Sequence, residues 1–428
     1  MDMKKKQRIL FVLPFLPYPM DSGGAQAIFN GMDVVKDDYE VFMTYRSYGG
    51  DHKNRERKLV ELLEGKITIL PCVFHKRADA KPSMKQKIAT LSYKVEKRLR
   101  KVSGIDFPPQ VRIPHKAWVG EELFPKETYF VKHVLKLVEE YQIDIVQCEM
   151  LRNVTIGLEL PQRVRKVFVH HELGWVVHEL ELQRQNGNAL EQKIYLDFYR
   201  TCEVALLNAY GEVITLSAID ANKLKEAGVT VPVHVSLAVV NTSADELLPA
   251  GRWNVLSFVG PESNTPNVEG LKWFLENVWE KLRQRDGSYR LQIIGRWTEK
   301  TISALLEGHV GVSYLGFVND LADTLKDTIM IVPITIGSGI RMKILEAASM
   351  GVPFVTTTVG VEGIPVENGV HCFVADTPDD FIASLVKLQD AELRRRFAVD
   401  ANRLVKERFS VEALKKNRLE IYNKLGSA

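Results

Sequence analysis

The sequence predicts an α/β protein whose two domains, each a doubly wound parallel sheet, face each other across a cleft. Its 428 residues are too many for one ordinary hydrophobic core, and a hydrophobic fraction of 45% is typical of a globular chain. Short apolar segments alternate with helix-like segments, as they do in parallel sheets covered by helices. The alternation occurs in two series with a polar segment between them, so each series is expected to form one domain.

The first series predicts a sheet that begins near the start of the chain. Residues 8–13 are continuously apolar, and turn-forming residues with Gly23 and Gly24 separate them from a helical pattern that begins at Ala25. This order predicts a buried strand, a glycine loop and a helix. Further strands are predicted at residues 39–44, 66–71, 143–148, 166–170 and 212–216. Ligands of such sheets bind at the carboxyl ends of the strands, so functional residues are expected there.

The second series repeats this architecture after a polar segment, residues 241–251, that is closed by Pro249 and Gly251. We therefore place the first domain at residues 1–240 and the second at residues 252–410. The remaining residues, 411–428, are expected to form a terminal helix that packs on the second domain or back across the cleft. Strands of the second domain are predicted at residues 255–259, 289–294, 312–315, 328–333, 353–357 and 372–375.

Composition excludes several classes of protein. Lys and Arg number 57 against 54 Asp and Glu, and a net charge of +3 gives no support to a nucleic-acid binder. The four cysteines lie far apart, without the spacing of a zinc site or a thiol redox motif, as in a reduced cytoplasmic protein. The longest apolar stretch, residues 9–20, contains prolines and is shorter than the roughly 20 residues of a membrane-spanning helix. No such helix is expected.

The most informative segment follows a strand of the second domain. Gly337, Ser338 and Gly339 come after a buried strand, and a helix is predicted from Ile340 to Gly351. Backbone amides of a glycine loop and of a helix N-terminus together form an anion site. The alternative is that the glycines only form a tight turn, since such loops are common in α/β folds.

Two cations and an acid strengthen this interpretation. Arg341 and Lys343 lie in the first helical turn, where the helix dipole disfavours positive charge, and an anion that bridges both would remove the conflict. Glu346 lies one turn further on among small or apolar residues, and a buried acid there suits the hydroxyl groups of a ribose. The alternative is that both cations are solvated surface residues.

The stretch from residue 337 to residue 357 resembles the donor-binding signature of family 4 glycosyltransferases, which have the GT-B fold. Other segments extend the resemblance over most of the chain in the family's order: residues 23–24, 143–147, 170–171, 257–260, 293–295, 316–318 and 360–363. The resemblance implies two Rossmann-like domains, of which the first binds the acceptor and the second binds a nucleotide sugar. It also implies transfer with retention of anomeric configuration.

Residue by residue, the resemblance first concerns the donor's sugar and ribose. Glu346 matches the family's acid that binds the ribose hydroxyls. A second family acid, which contacts the transferred sugar, falls on Ser338 in this chain. Ser338 and the backbone amides of Gly337 and Gly339 are therefore expected to contact the sugar, and the identity of that sugar stays open.

The diphosphate and the base form the rest of the donor site. Family members often hold the diphosphate with an Arg and a Lys after the first strand of the second domain, but residues 260–267 contain no cation here. The resemblance makes Arg341 and Lys343 the replacements, with catalytic roles at the leaving group. Three residues at strand ends are expected to border the nucleotide: Arg296, Phe317 and Val318.

In the first domain, Gly23 and Gly24 match the family loop that approaches the donor phosphates and the acceptor. A backbone without side chains can approach closely, although a plain strand-to-helix turn is the alternative. The resemblance also puts a histidine or aspartate near the transferred sugar at the strand that ends at His170 and His171. We favour His170 as the catalytic histidine, with a structural histidine as the alternative.

The reaction implied is sugar transfer from a nucleotide diphosphate sugar to a hydroxyl group of a sugar or a lipid-linked acceptor, in bacterial polysaccharide or glycoconjugate synthesis. Charge develops on the leaving diphosphate, which Arg341, Lys343 and the loop amides would stabilise. No Asp-x-Asp motif is evident at a strand end, so neither a metal ion nor another cofactor is expected. A nucleotide-sugar epimerase of the same fold and a noncatalytic nucleotide-sugar sensor remain alternatives.

One local cluster of charge points to a further partner. Residues 76–101 contain ten basic and two acidic residues, a local charge of +8, with an apolar stripe at helical spacing. A basic amphipathic helix suits an anionic membrane surface, where lipid-linked acceptors reside. The protein is therefore expected in the cytoplasm, peripheral on the inner face of the membrane. The alternative is that the stripe packs this helix on its own domain.

Overall fold

The computed structural model describes residues 6–20, 22–48, 52–74, 123, 128–183, 188–237, 239–240, 253–337 and 339–424. Three features of the sequence lie outside the described residues: Ser338, the basic segment 76–101 and the linker 241–251.

The first domain is a parallel sheet with helices between its strands. The strand order is β3-β2-β1-β5-β6-β7-β8, and the short β4 pairs with β2 further along. The elements are β1 (Arg8–Leu13), α1 (Gly23–Asp33), β2 (Glu40–Ser47), α2 (His52–Leu62), β3 (Ile67–Ile69), β4 (Cys72–Val73), α3 (Thr128–Glu140), β5 (Ile145–Glu149), α4 (Ile156–Glu159), β6 (Arg165–His170), α5 (Gly174–Gln183), α6 (Ala189–Leu207), β7 (Glu212–Thr215), α7 (Ala218–Glu226) and β8 (Val233–Val235).

Strand β1 shows why the apolar segments of the sequence are continuous and do not alternate with polar residues. Leu10 and Val12 belong to the hydrophobic cluster on one face of the sheet, and Ile9 and Phe11 belong to the cluster on the other face. All four side chains are fully buried. A parallel sheet with helices on both faces requires this, because each face of every central strand meets a helix.

The second domain is also a parallel sheet, with the strand order β11-β10-β9-β12-β13-β14. Its elements are β9 (Val255–Val259), α8 (Thr265–Phe274), a π-helical turn (Leu275–Trp279), α9 (Glu280–Arg285), β10 (Arg290–Ile294), α10 (Glu299–Leu306), β11 (Val312–Gly316), α11 (Leu321–Leu325), β12 (Ile329–Val332), α12 (Met342–Met350), β13 (Phe354–Thr356), β14 (Phe373–Val374), α13 (Pro378–Lys387) and α14 (Ala391–Arg408). Counted from β9, the order is 3-2-1-4-5-6, that of doubly wound nucleotide-binding domains.

These two sheets confirm the predicted fold class. Each predicted strand corresponds to an observed one within about three residues at either end, the usual disagreement about element boundaries. The sequence did not predict β4 or β8. They contain two and three residues and are only partly buried, so neither carries the apolar run that identifies the central strands.

The last helix of the described chain, α15 (Val411–Lys424), follows the second domain in sequence but packs on the first. Leu414, Ile421 and Tyr422 are buried in a hydrophobic cluster of the first domain. At the edge of this contact, Lys415 Nζ lies 3.2 Å from Asp38 Oδ2. The chain therefore crosses between the two domains a second time.

The sequence also led to expectations about membrane-spanning helices and about the cysteines. In the part of the chain that the structure describes, every helix is too short or too polar to cross a membrane. The four cysteines are free thiols, and Cys72, Cys148 and Cys372 are buried.

Candidate functional site

The second sheet has a crevice where its strand order reverses. Strands β9 and β12 are hydrogen-bonded neighbours, and the chain leaves β9 toward β10 on one side and β12 toward β13 on the other. Two loops therefore separate at the carboxyl ends of these strands, and ligands of doubly wound sheets bind at such a point. The loop after β12 and the start of α12 lie here.

The backbone of this loop needs its two glycines. Gly337 has φ 122° and Gly339 has φ 81°, in the left-handed region that side chains disfavour. A Cβ on Gly337 would also lie 3.1 Å from Pro266 Cγ and 2.9 Å from Arg341 Nη2. The loop is therefore a closely packed turn that residues with side chains would distort.

Arg341 occupies the N-cap position of α12 and is held by the loop itself. Its Nη1 donates a hydrogen bond to the Gly339 carbonyl oxygen. Burial lowers the pKa of Arg341, while the charges of Glu362, Glu172 and Asp220 act in the opposite direction. Glu172 and Asp220 belong to the first domain, so carboxylates from both domains influence this cation.

Lys343 lies in the first turn of α12 beside Arg341. Its Nζ donates a 2.6 Å hydrogen bond to Asn267 Oδ1 and lies 5.0 Å from the centroid of the Phe258 ring. Burial and, to a lesser extent, the charge of Arg341 lower the pKa of Lys343 to about 7, against the opposing charge of Glu346. Near neutral pH this amine is therefore close to losing its charge, and an anion that entered the crevice would raise its pKa.

Glu346 follows one turn later and contacts the first domain. Burial raises the pKa of its carboxyl group, and a hydrogen bond from the Gln26 side chain and the charge of Lys343 lower it. Gln26 lies in the first turn of α1. Sequence reasoning missed this residue, because its contact with Glu346 depends on how the two domains are placed.

The glycine pair of the first domain lies against the same helix. A Cβ on Gly23 would be 2.9 Å from Met342 Cγ, at the start of α12, and a Cβ on Gly24 would be 2.6 Å from Met150 Cε. Ser22 begins α1 by accepting a 3.3 Å hydrogen bond from the Ala25 amide. The starts of α1 and α12 therefore meet across the cleft.

The two histidines at the end of β6 have different environments. His170 is 1% exposed, and its Nε2 lies 2.7 Å from Glu203 Oε1, which also accepts a hydrogen bond from the Gly174 amide. His171 Nε2 lies 2.7 Å from Glu149 Oε2. The His171 carbonyl oxygen is 3.7 Å from the position of a Cβ on Gly339.

The surroundings of His170 fit the structural alternative, and its catalytic role stays a prediction. His170 is the last residue of β6, and its ring is enclosed by the core of the first domain with a buried carboxylate as its partner. His171, after the strand, is the histidine that lies beside the glycine loop. Successive side chains along a strand point to opposite faces of the sheet, so His170 and His171 were not expected to share one environment. The sequence did not reveal which of the two would face the core.

A chain of buried hydrogen bonds connects His171 to α15. Glu149 accepts from His171 at Oε2 and from Gln147 Nε2 at Oε1, at 2.7 and 2.6 Å. Gln147 Oε1 in turn accepts a hydrogen bond from the Tyr422 hydroxyl. Gln147, Glu149 and Tyr422 are each at most 2% exposed. We call these four residues the Tyr422–His171 relay.

The three residues expected near the base lie at the carboxyl ends of β10 and β11. The Arg296 guanidinium carbon is 4.6 Å from the centroid of the Phe317 ring, and Phe317 is 59% exposed. Val318 is partly buried against the core of the second domain. A planar group could stack on this exposed pair.

Contacts between the domains surround the site. Lys223 Nζ lies 3.2 Å from Glu362 Oε1, and a Cβ on Gly363 would be 2.8 Å from Ser217 Cβ. Among the described residues, no cluster of three or more His, Cys, Asp or Glu side chains is arranged to hold a metal ion.

Comparison with known proteins finds a family match in the second domain. Residues 254–391 match the family model described as glycosyl transferases group 1. An uncharacterized 44.6 kDa protein in the cps region of Klebsiella pneumoniae is 22% identical over 256 residues, which cover 56% of this chain. The match spans 64% of that relative, less than two thirds of its length.

Solved structures match nearly the whole chain. Anabaena HepE in complex with UDP and glucose superimposes with a TM-score of 0.63 at 15% identity, covering 99% of this chain and 100% of HepE. Sucrose-phosphate synthase from Thermosynechococcus elongatus gives a TM-score of 0.69 at 14% identity, with the same coverage. S. aureus TarM, in a complex that includes UDP, gives 0.64 at 12% identity, covering 97% of this chain and 100% of TarM.

Proposed function

We propose that this chain transfers a sugar from a nucleotide diphosphate sugar to a hydroxyl acceptor, because residues 254–391 match the glycosyl transferases group 1 model and the chain has a GT-B fold. The observation that carries the proposal is the start of α12. There, two cations and a glycine loop lie at a helix N-terminus, with Glu346 one turn away. A diphosphate supplies the negative charge that such a site lacks, and a ribose supplies hydroxyl groups to the acid.

In the proposed reaction the bond between the anomeric carbon and the diphosphate oxygen breaks, and the acceptor hydroxyl oxygen bonds to the same carbon. The acceptor's proton passes to the leaving phosphate oxygen, so no separate general base is needed. Arg341, Lys343 and the loop amides stabilise the negative charge that develops on the diphosphate. They require no metal ion for this role, and retention of configuration follows from the family resemblance.

His171 takes the place beside the transferred sugar that we first gave to His170. Its carbonyl group lies near Gly339, and its ring is held by Glu149. The exposed pair of Arg296 and Phe317 would contact the base. Ser338 would contact the transferred sugar between the two loop glycines.

For the identity of the donor, we propose a UDP-sugar. The HepE and TarM structures both contain UDP, which supports uridine as the first base to test. The relative from the Klebsiella cps region supports cell-envelope polysaccharide synthesis as the setting. Binding of residues 76–101 to an anionic membrane that holds a lipid-linked acceptor remains part of the proposal, and cosedimentation with anionic vesicles would test it.

A panel of UDP-, GDP- and ADP-sugars, compared by thermal shift, tests the proposal. A donor that binds the folded state raises its melting temperature by mass action, and a UDP-sugar is expected to give the largest rise. Slow hydrolysis of that donor, with sugar released and nucleotide diphosphate left, is then expected without an acceptor. Conversion to an epimeric nucleotide sugar, or binding without turnover with any acceptor, would contradict the proposal.

A further inference from the structure

A second cavity, of about 600 Å³, lies in the first domain at the carboxyl ends of β1 and β2. We call it the strand-end cavity. Its wall comes from the loop after β1, the start of α1, the end of β2, the start of α2 and the turn after β5. The aromatic and basic side chains that line it are Phe15, Tyr48, His52, Arg46, Arg55 and Arg152.

Basic side chains are prominent among the described residues that line the strand-end cavity. Three arginines line it, and no carboxylate occurs among its lining residues within the described parts of the chain. Each of the three arginines donates at least one hydrogen bond to a neutral oxygen atom. Arg46 Nη1 donates to Asn153 Oδ1 at 2.5 Å, Arg55 Nε to the Tyr18 carbonyl at 2.8 Å and Arg152 Nη2 to the Tyr48 hydroxyl at 2.9 Å. Oriented guanidinium groups of this kind bind carboxylates and phosphates.

A row of aromatic rings continues from the cavity along the surface. Tyr48 is 46% exposed and stacks on Phe74, with ring centroids 5.1 Å apart and an interplanar angle of 22°. Phe74 contacts Tyr129, which is 60% exposed, at 5.7 Å. Large exposed aromatic faces next to oriented polar groups are typical of sites that bind sugar rings, because the C–H face of a ring packs on them.

The cavity adjoins the donor site through one loop. Ser22 lines the cavity, and Gly23, the next residue, lies against Met342 at the start of α12. A molecule in the cavity would therefore meet the donor across the glycine pair of the first domain.

We infer that the strand-end cavity binds a sugar that carries a carboxylate or a phosphate, and that this anionic sugar is the acceptor. Arg55 and Arg152 recognise the anionic group, and Tyr48 packs against the sugar ring. The role of this sugar as the acceptor rests on the proposed function, whereas the preference for an anionic sugar rests on the cavity alone.

Three sugars that differ only at carbon 6 test the inference: methyl β-glucuronide, methyl β-glucoside 6-phosphate and methyl β-glucoside. Direct binding is measured by calorimetry with and without nucleotide, at about 50 mM and about 500 mM NaCl. One anionic sugar is expected to bind about tenfold tighter than the neutral glucoside, with a smaller difference at high salt. Whichever anion binds tighter identifies the group. Equal affinity for all three, or no binding of any at about 10 mM, overturns the inference.

Substitutions of single arginines test whether the strand-end cavity causes the preference for an anionic sugar. Arg55→Gln and Arg152→Gln are each expected to reduce it about fivefold, and Arg152 is exposed, so its variant should fold normally. Arg57→Gln is the matched control. Arg57 lies on the same helix, its side chain is 70% exposed, and it does not line the cavity. An unchanged preference in both cavity variants overturns the inference.

Nucleotide-sugar binding, measured separately, distinguishes a failure of this inference from a failure of the proposed function. Nucleotide-sugar binding in Arg55→Gln and Arg152→Gln should equal that of the wild-type protein. If the wild-type protein binds no nucleotide sugar, the proposed function fails while the anion preference of the cavity is still measured.

Discussion

Lys343 is held in surroundings that disfavour its own charge. Burial and the neighbouring Arg341 lower its pKa to about 7, and its hydrogen-bond acceptor is the neutral amide of Asn267. Partial burial of an ammonium group against a neutral acceptor destabilises the folded protein. Such a residue is expected at a site where a ligand supplies the missing charge, and two measurable consequences follow.

The first consequence concerns pH. A bound diphosphate raises the pKa of Lys343, so binding takes up a proton above pH 7. Affinity for the nucleotide sugar should therefore fall by about five- to tenfold between pH 7 and pH 9. In Lys343→Met the affinity should be lower at pH 7 and nearly independent of pH over this range. Calorimetry at both pH values checks this, and the same slope in both proteins would show that another group titrates.

The second consequence concerns stability without ligand. The folded protein binds Lys343's proton more weakly than the unfolded chain, so this group destabilises the folded state most below pH 7 and least near its ordinary pKa of 10.5. Lys343→Met should raise the melting temperature at pH 7 by about 2 °C or more, with a smaller gain at pH 9.5. Lys272→Met is the control, because that side chain is 54% exposed. A lower melting temperature for Lys343→Met would contradict this account.

Some residues of the candidate site could be predicted from the sequence, because local spacing determines where they lie. Arg341, Lys343 and Glu346 follow a glycine loop at fixed helical positions, and the structure brings them to one crevice. Gln26 could not be predicted, because its contact with Glu346 depends on how two domains are placed relative to each other. The orientation of a single side chain across a cleft leaves no local pattern.

At the scale of secondary structure, long buried strands were predictable and short edge strands were not. The six residues of β1 carry enough apolar side chains to mark a strand buried on both faces. β8 has three residues, all partly buried, and its pairing with β7 depends on the rest of the sheet. The histidines at the end of β6 show the same limit, because the strand's two faces were predictable but not which face met the cleft.

The Tyr422–His171 relay predicts an effect of α15 on turnover. Removing the Tyr422 hydroxyl frees Gln147 and loosens the carboxylate that orients the His171 ring. Tyr422→Phe should lower kcat about three- to tenfold with little change in the donor KM, and should alter the pH dependence of kcat. Tyr39→Phe is the matched control, because Tyr39 is buried against Tyr422 at 5.6 Å but is outside the relay. Equal effects of both variants would contradict a positioning role.

At the scale of the whole molecule, α15 connects the two domains through a buried contact. Ile421 is 4% exposed within the hydrophobic cluster of the first domain. Ile421→Ala should therefore lower the free energy of unfolding by about 2–5 kcal/mol, the usual cost of truncating a buried aliphatic side chain. Val411→Ala, at a residue 39% exposed on the same helix, should cost much less. Chemical denaturation checks both, and equal losses would show that α15 is not anchored by its buried face.

The contacts between the two domains could not be predicted from the sequence alone. The sequence predicted two sheets facing a cleft. It did not reveal the contacts that close it, such as the hydrogen bond from Gln26 to Glu346 and the ion pair of Lys223 with Glu362. The 3.2 Å ion pair is partly exposed, so it contributes little to stability, and its position between the domains is its main interest.

Calorimetric titration of the best donor from the thermal-shift panel tests the central claim, that the start of α12 binds a nucleotide sugar, most directly. The wild-type protein should bind about one equivalent. Arg341→Ala and Glu346→Ala should each weaken binding about tenfold or more, because the proposed function assigns Arg341 to the diphosphate and Glu346 to the ribose. Arg403→Ala, at a side chain 65% exposed on α14, should bind normally. Near-wild-type affinity in both site variants, or no binding by the wild-type protein, would contradict the claim.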